Sequence, residues 1–170
     1  ASQRLFTTSA IAGFLDIINF SNPAAPILVS SINMNTYGSV TSVAVKNGIV
    51  AVASPNVDAT LNGSVVFFDT NGTFLKQVTV GALPDMITFS PDGTKVMTAN
   101  EGQPNANYSV DPEGSVSIID ISGGIPALTQ SNVITLLFTA FNTQETALIA
   151  SGVRKLKLTS TLSQDFEPEF

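Results

Sequence analysis

Short runs of alternating or β-branched apolar residues, each bounded by turn residues, recur along the chain. Two pairs of runs are separated by tight-turn sequences: 41–46 and 49–54 around Asn47-Gly48, and 86–90 and 95–100 around Pro91-Asp92-Gly93. Asn-Gly and Pro-Asp-Gly suit tight turns because their residues tolerate a positive φ or pre-set a negative one. The pattern therefore predicts two antiparallel β-hairpins with the same layout.

A further strand pattern repeats at longer range. The segment from Gly63 to Gly72 returns as Gly114 to Gly123, about 50 residues later, and a weaker copy occupies 13–19. A unit of about 40–50 residues made of short strands is typical of a β-propeller blade, whose small sheet buries its faces only against neighbouring blades. The sequence therefore predicts an all-β fold, a β-propeller with about three four-stranded antiparallel blades of a larger ring.

The repeat also sets the predicted boundaries within a partial propeller domain at 1–170. The blade portions are about 4–34, 41–81 and 85–136, with the last strand of the third at about 127–136; an inserted connector at 137–167 and the start of another blade at 168–170 follow. The first portion lacks the inner hairpin of the other two. Because propellers close with about four to eight blades, we interpret the chain as an N-terminal portion of a longer protein.

One segment of the connector departs from the strand pattern. Asn142 is a residue type that caps helix N-termini, and Glu145 stands at the third helical position. Gly152 provides a stop signal. These signals predict one short inserted helix near 143–151.

Composition narrows the chemistry that the chain can perform. Cysteine, histidine and tryptophan are absent, which excludes Ser-His-Asp and Cys-His catalysis, thiolate zinc sites and disulfides. The net charge of −6 argues against nucleic acid and anionic membranes as partners, and no apolar run approaches the length of a membrane span. The cluster of Arg154, Lys155 and Lys157 is predicted to lie in solvent at the C-terminal end of the helix.

Equivalent positions in the repeated strand carry structural residues. Asp69 and Asp120 both end this strand, and we expect their carboxylates to accept hydrogen bonds from the backbone of the following turn. Phe67 and Phe68 lie within the strand and are predicted to be buried between blades. These residues therefore belong to the scaffold rather than to a ligand site.

Three long loops are predicted to emerge from one face of the propeller. They are Pro55–Asn62, Gly102–Glu113 and the connector at about 138–167. The opposite face is expected to keep only minimal turns. Since functional residues concentrate on elaborated loops held by a rigid scaffold, we expect function on the long-loop face; structural drift of the loops is the alternative.

Acidic residues collect on the same predicted face. Oxygen-rich surroundings without histidine favour hard cations, and Ca²⁺ before Mg²⁺ because Ca²⁺ accepts about six to eight flexible oxygen ligands. The candidate ligands are Glu101, Asp111 and Glu113, with Asp85 and Glu169 at the ends of inner strands. Their spacing is not that of an EF-hand. The alternative is that these acids cap turns and keep an apolar protein soluble.

Several motifs resemble the choice-of-anchor I family of secreted bacterial β-propellers. They are Leu83-Pro84-Asp85-Met86, Ser90-Pro91-Asp92-Gly93, Asn100-Glu101-Gly102 with Asp111-Pro112-Glu113-Gly114, and Ala147–Arg154 followed by Gln164–Glu169. The loop from Asn-Glu-Gly to Asp-Pro-Glu-Gly is much more specific than the common Ser-Pro-Asp-Gly turn. The resemblance implies an extracellular or surface-attached propeller, sometimes joined to phosphoesterase modules or labelled as alkaline phosphatase or phytase-like. It supplies no catalytic residue set.

Two functions fit these observations. The first is a non-enzymatic, extracellular or cell-surface platform that presents its acidic long-loop face to a surface polymer, a protein or Ca²⁺. The second is a Ca²⁺-dependent hydrolase of small phosphoesters. The long loops before the helix contain no Lys or Arg to hold phosphate, which favours the platform. Exposed edges of the terminal blades also allow self-association of the chain.

Overall fold

Three antiparallel sheets, each built from strands that are consecutive in the chain, make up the regular part of the structure. The computed structural model describes residues 3–169. Sheet I contains β1 (Arg4–Ser9), β2 (Phe14–Asn19) and β3 (Ile27–Asn33). Sheet II contains β4 (Val43–Lys46), β5 (Ile49–Ser54), β6 (Asn62–Asp69) and β7 (Phe74–Ala82), and sheet III contains β8 (Pro84–Phe89), β9 (Lys95–Asn100), β10 (Ser115–Asp120) and β11 (Val133–Leu137). The all-β, antiparallel prediction is confirmed.

The two hairpins form where the turn residues predict them. Asn47 and Gly48 adopt positive φ angles of 50° and 81° between β4 and β5. Gly93 has a φ of 74° between β8 and β9, and its N–H donates to the carbonyl oxygen of Ser90 at 2.9 Å. In each hairpin the turn residues accept the left-handed backbone that most side chains resist.

The aspartates at the ends of β6 and β10 hold the turns that follow them. The Asp69 carboxylate accepts hydrogen bonds from the N–H groups of Asn71 and Thr73, both at 2.8 Å. The Asp120 carboxylate accepts one from the N–H of Ser122 at 2.9 Å. The structural role predicted for the two aspartates is confirmed.

The core lies in two layers, one on each face of sheet II. Phe68 faces sheet I and packs with Leu15 of β2. Phe67 faces sheet III and packs with Val96 and Ile119. Successive side chains of a strand point to opposite faces, so this adjacent pair of phenylalanines serves both layers. Each is at most 1% exposed, which confirms their predicted burial.

Hydroxyl groups connect the three sheets at one end of their first strands. The Thr8 hydroxyl donates to the carbonyl oxygen of Thr41 at 2.9 Å, and the Thr41 hydroxyl donates to that of Pro84 at 2.7 Å. Strand β4 contacts both β1 and β8. The first strands of successive sheets therefore lie next to one another.

The last strand of sheet III begins later than predicted. Residues 121–132 form two 3-10 turns, Ile125–Ala127 and Gln130–Asn132, and β11 starts at Val133 rather than near 127. Pro126 favours the first turn, and Ile125 and Leu128 are buried between sheets II and III. The apolar residues of this run therefore enter the core from a loop. This loop lies at the hairpin-turn end, so the prediction of only minimal turns there is wrong.

The connector at 138–167 is helical in three short pieces. They are a 3-10 segment at Thr139–Gln144, α1 (Glu145–Ala150) and the single turn α2 (Leu162–Asp165). The inserted helix is present but shorter than predicted, and Gly152, with a φ of 106°, follows its end. The capping prediction for Asn142 is wrong. Its amide oxygen accepts from the N–H of Ser163 at 2.8 Å, and its amide nitrogen donates to the Ser163 hydroxyl at 2.9 Å, so the side chain turns toward α2.

The long loops gather at one end of the sheets, called here the long-loop end. Thr60 and Glu113 line the same cleft, and the N–H of Gly114 donates to the carbonyl oxygen of Ser163 at 3.2 Å. At the other end, the Lys46 ammonium donates to the carbonyl oxygen of Pro91 at 2.7 Å and holds the two hairpin turns together.

The predicted blade boundaries themselves stay a prediction. Pro168 and Glu169 follow the connector as irregular chain. Ala1, Ser2 and Phe170 lie outside the described residues, so the predicted start of another blade at 168–170 is described only in part.

Candidate functional site

Side-chain hydrogen bonds join the loop at 101–114 to the connector at the long-loop end. The Ser160 hydroxyl donates to Asp111 Oδ2 at 2.6 Å, and the Gln164 amide donates to the carbonyl oxygen of Asp111 at 2.7 Å. The Ser163 hydroxyl donates to Glu113 Oε1 at 3.1 Å. Two segments about 50 residues apart in sequence thus form one continuous surface.

A glycine permits this close approach. Gly114 lies against the connector, and a Cβ atom there would overlap the carbonyl oxygen of Phe166 and come within 2.8 Å of Pro168. Gly102, at the other end of the loop, has a φ of 68° that a side chain would strain. The glycines of the Asn-Glu-Gly and Asp-Pro-Glu-Gly motifs therefore shape the loop and its contact with the connector.

Asp111 and Glu113, two of the predicted metal ligands, bind the connector. The Asp111 carboxylate is 12% exposed, accepts the hydrogen bond from Ser160 and lies 3.9 Å from the Lys157 ammonium. The Glu113 carboxylate accepts the hydrogen bond from Ser163. Both acids therefore have partners within the chain.

Glu101 lies in different surroundings, at the end of β9. Its N–H donates to the carbonyl oxygen of Leu83 at 2.9 Å, and the residue is only 7% exposed. Burial, together with the nearby carboxylates of Asp85, Glu169 and Glu167, raises the pKa of Glu101 to about 7. Neither of the two salt bridges found within residues 3–169 involves Glu101.

The five predicted ligands thus divide into two groups. The carboxylates of Asp85 and Glu169 contribute to the raised pKa of Glu101, whereas Asp111 and Glu113 are engaged by the connector. Among residues 3–169, no group of three or more carboxylates is close enough to hold a metal ion as it stands. The Ca²⁺ site stays a prediction.

The basic residues lie beyond the end of α1 rather than at it; Arg154 is exposed, as predicted, but the prediction of a solvated position is wrong for Lys155. The helix ends at Ala150, and its last turn contains no basic residue. The Lys155 ammonium, whose side chain is 6% exposed, forms a salt bridge of 2.7 Å with Glu145. The Lys157 ammonium lies 3.5 Å from the centre of the Tyr108 ring. The chain folds back after Gly152, which turns these cations onto the protein.

A pocket of about 580 Å³ opens between the loop and the connector. It is lined by Pro104, Tyr108, Asp111, Arg154, Leu156, Lys157, Ser160, Gln164, Asp165 and Glu167. The Asp165 carboxylate accepts hydrogen bonds from the N–H groups of Leu156 at 2.5 Å and Lys157 at 3.1 Å, which fixes the basic segment against α2. The volume is within the range of small-molecule sites, about 300–1,000 Å³.

Tyr108 stands out at the edge of this pocket. It is a non-glycine residue with a φ of 57°, and its side chain is half exposed. The N–H of Tyr108 donates to the carbonyl oxygen of Asn105 at 2.9 Å, and the N–H of Asn105 donates to the carbonyl oxygen of Val110 at 3.0 Å. The Asn105 Oδ1 atom accepts from the N–H of Val110 at 3.2 Å. The turn of 105–110 therefore holds the tyrosine in the left-handed conformation, a strain that proteins tolerate most often at functional positions.

Sequence reasoning did not select Tyr108, Arg154, Lys157 or Glu167 as site residues. The available signal was modest, a lone loop tyrosine and a basic cluster beyond the helix. Only the fold brings the 101–114 loop and the connector together. Burial and the carboxylates of Asp165, Asp111 and Glu169 raise the pKa of Glu167, which adds a further acid to the same surface.

An aromatic cluster supports the connector beside the pocket. Phe138, Phe141 and Phe166 form a triangle with ring centres 5.8 to 6.3 Å apart. Rings at these distances stabilise one another in edge-on and tilted arrangements. The cluster anchors the segment of the connector that carries Asp165 and Glu167.

Comparison with known proteins identifies the family. None of the curated proteins compared matches the chain. A family model described as the choice-of-anchor I domain matches residues 1–170, and the family's name implies a domain associated with the cell surface. Within residues 3–169, the helices are too short and too polar to cross a membrane. Because the match extends over the whole sequence, the chain belongs to the choice-of-anchor I family.

Proposed function

We propose that this chain supplies blades of an extracellular β-propeller that binds ligands through its long-loop end. The observation that carries the proposal is the bonding of the 101–114 loop to the connector around Asp111. These hydrogen bonds join the loop and the connector into one surface with a pocket at the long-loop end. At the hairpin-turn end, the bond from Lys46 to Pro91 joins one turn to another. A rigid sheet scaffold with elaborated loops at one end is the usual arrangement of binding proteins.

The packing of the sheets supports a propeller. Sheet II uses its two faces to pack against sheets I and III, and the first strands of neighbouring sheets lie side by side. The outer face of sheet III keeps Ile134 at 61% and Leu136 at 49% exposed. We propose that a neighbouring blade covers this face in the propeller. Light scattering tests the competing self-association, because a second copy on this face would double the mass.

The acids around Glu101 support a Ca²⁺ site at the same end. Carboxylate oxygens are suitable Ca²⁺ ligands, and Glu101 is only 7% exposed and is repelled by the nearby carboxylates of Asp85, Glu169 and Glu167. A bound divalent cation would relieve this repulsion. Asp111 and Glu113 would join it only by exchanging their bonds to the connector.

Thermal unfolding tests the cation site. Ca²⁺ at a concentration above its dissociation constant should raise the Tm, since a ligand that binds only the folded state stabilises it. Glu101→Gln should abolish the rise, whereas Asp58→Asn, in a loop where the carboxylate is bonded to Thr60, should keep it. An unchanged Tm at millimolar Ca²⁺ would contradict the site.

Site-directed labelling tests the platform. The chain has no cysteine, so Gln103→Cys at the long-loop end and Ser122→Cys at the other end each give one position for a bulky maleimide label. Both residues are exposed. The probe is isolated cell-envelope material of the producing organism. The label at 103 should block binding and the label at 122 should not; the reverse pattern, or no binding by the unlabelled protein, would overturn the proposal.

A Ca²⁺-dependent phosphoester hydrolase is the second candidate, and one observation favours it. The connector brings Arg154 and Lys157 to the pocket that Asp111 lines, which provides the positive charge that the earlier loops lack. Hydrolysis of p-nitrophenyl phosphate with Ca²⁺ and with chelator distinguishes the candidates. The platform predicts no turnover. Metal-dependent turnover that disappears in Glu101→Gln or Glu113→Gln would favour the hydrolase.

A further inference from the structure

We propose that the pocket between the 101–114 loop and the connector binds an acidic sugar residue of a polysaccharide. This inference rests on the proposed binding role of the long-loop end and assigns a ligand class to one place on it. It follows from which polar groups of the pocket remain available, from the position of the Tyr108 ring, and from the mixture of charges.

The pocket contains groups that the chain already uses and groups that it does not. Asp111 accepts from Ser160, and Asp165 accepts from the backbone of Leu156 and Lys157. Arg154 lines the same pocket, and among the described residues it forms no salt bridge. An arginine without a carboxylate partner offers two parallel N–H donors to a carboxylate or sulfate.

Tyr108 provides an apolar wall with a polar tip. The ring is 51% exposed and lies in the lining of the pocket. The Lys157 ammonium lies over one face, 3.5 Å from the ring centre, and the exposed half of the residue is the part that a ligand can contact. The C–H face of a sugar ring stacks on such an aromatic surface, while the hydroxyls reach polar groups at the rim.

Glu167 gives the pocket an acceptor beside the arginine. Its carboxylate lies near those of Asp165, Asp111 and Glu169. The hydroxyl groups of a ligand bound here can donate hydrogen bonds to these closely spaced acceptors. The carboxylates and Gln164 can form hydrogen bonds with sugar hydroxyls, and Arg154 can bind one anionic substituent. A polyanion with closely spaced charges would instead meet these acids and the net charge of −6.

The sugar chemistry predicts which ligands are rejected. A neutral sugar leaves Arg154 without its anion, and a polyphosphate brings several charges toward Glu167 and Asp165. One anionic group combined with hydroxyls and a flat apolar ring face uses every feature of the pocket. A uronic acid residue has this combination.

Titration calorimetry with glucuronosyl-xylobiose, a trisaccharide with a single carboxylate, tests the inference, with its carboxyl-reduced form as the neutral control and chelator present to exclude bridging by Ca²⁺. The acidic trisaccharide should bind, and the neutral one should bind at least about tenfold more weakly, the loss expected for one charge-assisted hydrogen-bonded pair. Arg154→Gln should weaken the acidic trisaccharide to the neutral level, and Tyr108→Ala should weaken both sugars. Lys76→Gln, on β7 and away from the pocket, should leave both affinities unchanged.

Separate outcomes distinguish this inference from the proposed function. Equal binding of both trisaccharides, an unchanged affinity in Arg154→Gln at wild-type Tm, or no binding of the acidic trisaccharide would overturn the assignment of an acidic sugar. If envelope binding is still blocked by the label at 103 in that case, the platform stands with another ligand. If Tyr108→Ala lowers the Tm, Tyr108→Phe provides the control. This variant should keep the stacking of the ring on the sugar, so it distinguishes the contribution of the ring from that of the hydroxyl.

Discussion

Sheet II and the connector are stabilised by different interactions. Strands β5 and β6 of sheet II are buried almost along their whole length, and apolar side chains from both faces fill the core. Most connector residues are exposed or half-buried. The connector is held instead by polar bonds to the 101–114 loop and by the salt bridge of Lys155 with Glu145. The scaffold therefore depends on apolar burial, and the candidate site depends on specific contacts between distant segments.

This difference gives the two regions different tolerances. Apolar burial is roughly proportional to area and does not depend on direction, so the strands of sheet II keep their packing when a neighbouring polar residue changes. Hydrogen bonds need both partners in place. A single substitution can thus separate the connector from the loop while the sheets stay folded.

Truncation of the core in sheet II should have the largest effect. Phe67 is 0% exposed and packs between sheets II and III, so Phe67→Ala should lower the free energy of unfolding by about 3–5 kcal/mol. Phe141→Ala, at a connector ring that is 38% exposed, should cost about 1 kcal/mol. Denaturant titration measures both, and similar losses would show that the two regions do not differ in this way.

Gly114→Ala should have the next largest effect, and it should act on the connector. The new Cβ atom would overlap the carbonyl oxygen of Phe166, which forces the connector away from the loop at a cost of about 1–3 kcal/mol. Gly123→Ala, at the other end of the same repeated segment, is the control, because the nearest atom to its Cβ would be 3.8 Å away. Limited proteolysis should detect new cleavage within 138–167 only in Gly114→Ala.

Equal protection of the connector in the two glycine variants would contradict its docking through Gly114. Unfolding of the whole chain by Gly114→Ala would show instead that sheets and connector form one cooperative unit. Far-UV circular dichroism distinguishes that result from local release of the connector.

The sheets were predictable from the sequence because their signals are local. Alternating apolar residues, Asn47-Gly48 and Pro91-Asp92-Gly93 each specify strands and turns within a few residues. The exact recurrence of the Gly-Ser-Val segment then related the sheets to one another. Prediction failed at 127–132, which forms a loop: Leu128 reaches the core without joining a ladder, and a buried apolar residue beside a strand does not by itself distinguish these outcomes.

The candidate site was predictable only in its location. The long loops and their acids indicated the end at which the pocket between loop and connector lies, but the partners of each acid depend on how the connector folds back. Asn142 has the residue type of a helix cap and instead binds Ser163. Lys157 reaches Tyr108 because Asp165 holds its backbone. Contacts between residues so far apart in sequence leave no periodic signal.

Asn142→Ala should weaken the connector by a smaller amount than Gly114→Ala. The substitution removes both hydrogen bonds to Ser163, a residue that is 0% exposed, and loss of a hydrogen bond lowers the free energy of unfolding by about 0.5–1.5 kcal/mol. Gln144→Ala, at an exposed neighbour, is the control. Hydrogen exchange should show faster exchange of the Ser163 amide in Asn142→Ala alone, and unchanged exchange would show that α2 is held by other contacts.

Glu101→Gln should have the smallest effect, and its sign depends on pH. The pKa of Glu101 is about 7 in the folded protein against an ordinary value of 4.5, so between these values the folded state holds a proton that the unfolded chain has lost. The free energy of unfolding should therefore fall as pH rises from about 4.5 to 7. In chelator, Glu101→Gln should lessen this fall and raise the Tm at pH 8 by about 2–4 °C.

The Asp58 carboxyl provides a control of opposite sign for that experiment. The hydrogen bond from the Thr60 hydroxyl, with one from the Thr60 N–H, lowers the pKa of Asp58 below its ordinary value, so its contribution is present at neutral pH and is lost as pH falls. Asp58→Asn should therefore lower the Tm at pH 8 and leave it unchanged in acid. If Glu101→Gln lowers the Tm at pH 8 as Asp58→Asn does, then Glu101 stabilises the scaffold. The contrast between sheets stabilised by apolar burial and an acidic end destabilised by charge repulsion would then fail at Glu101.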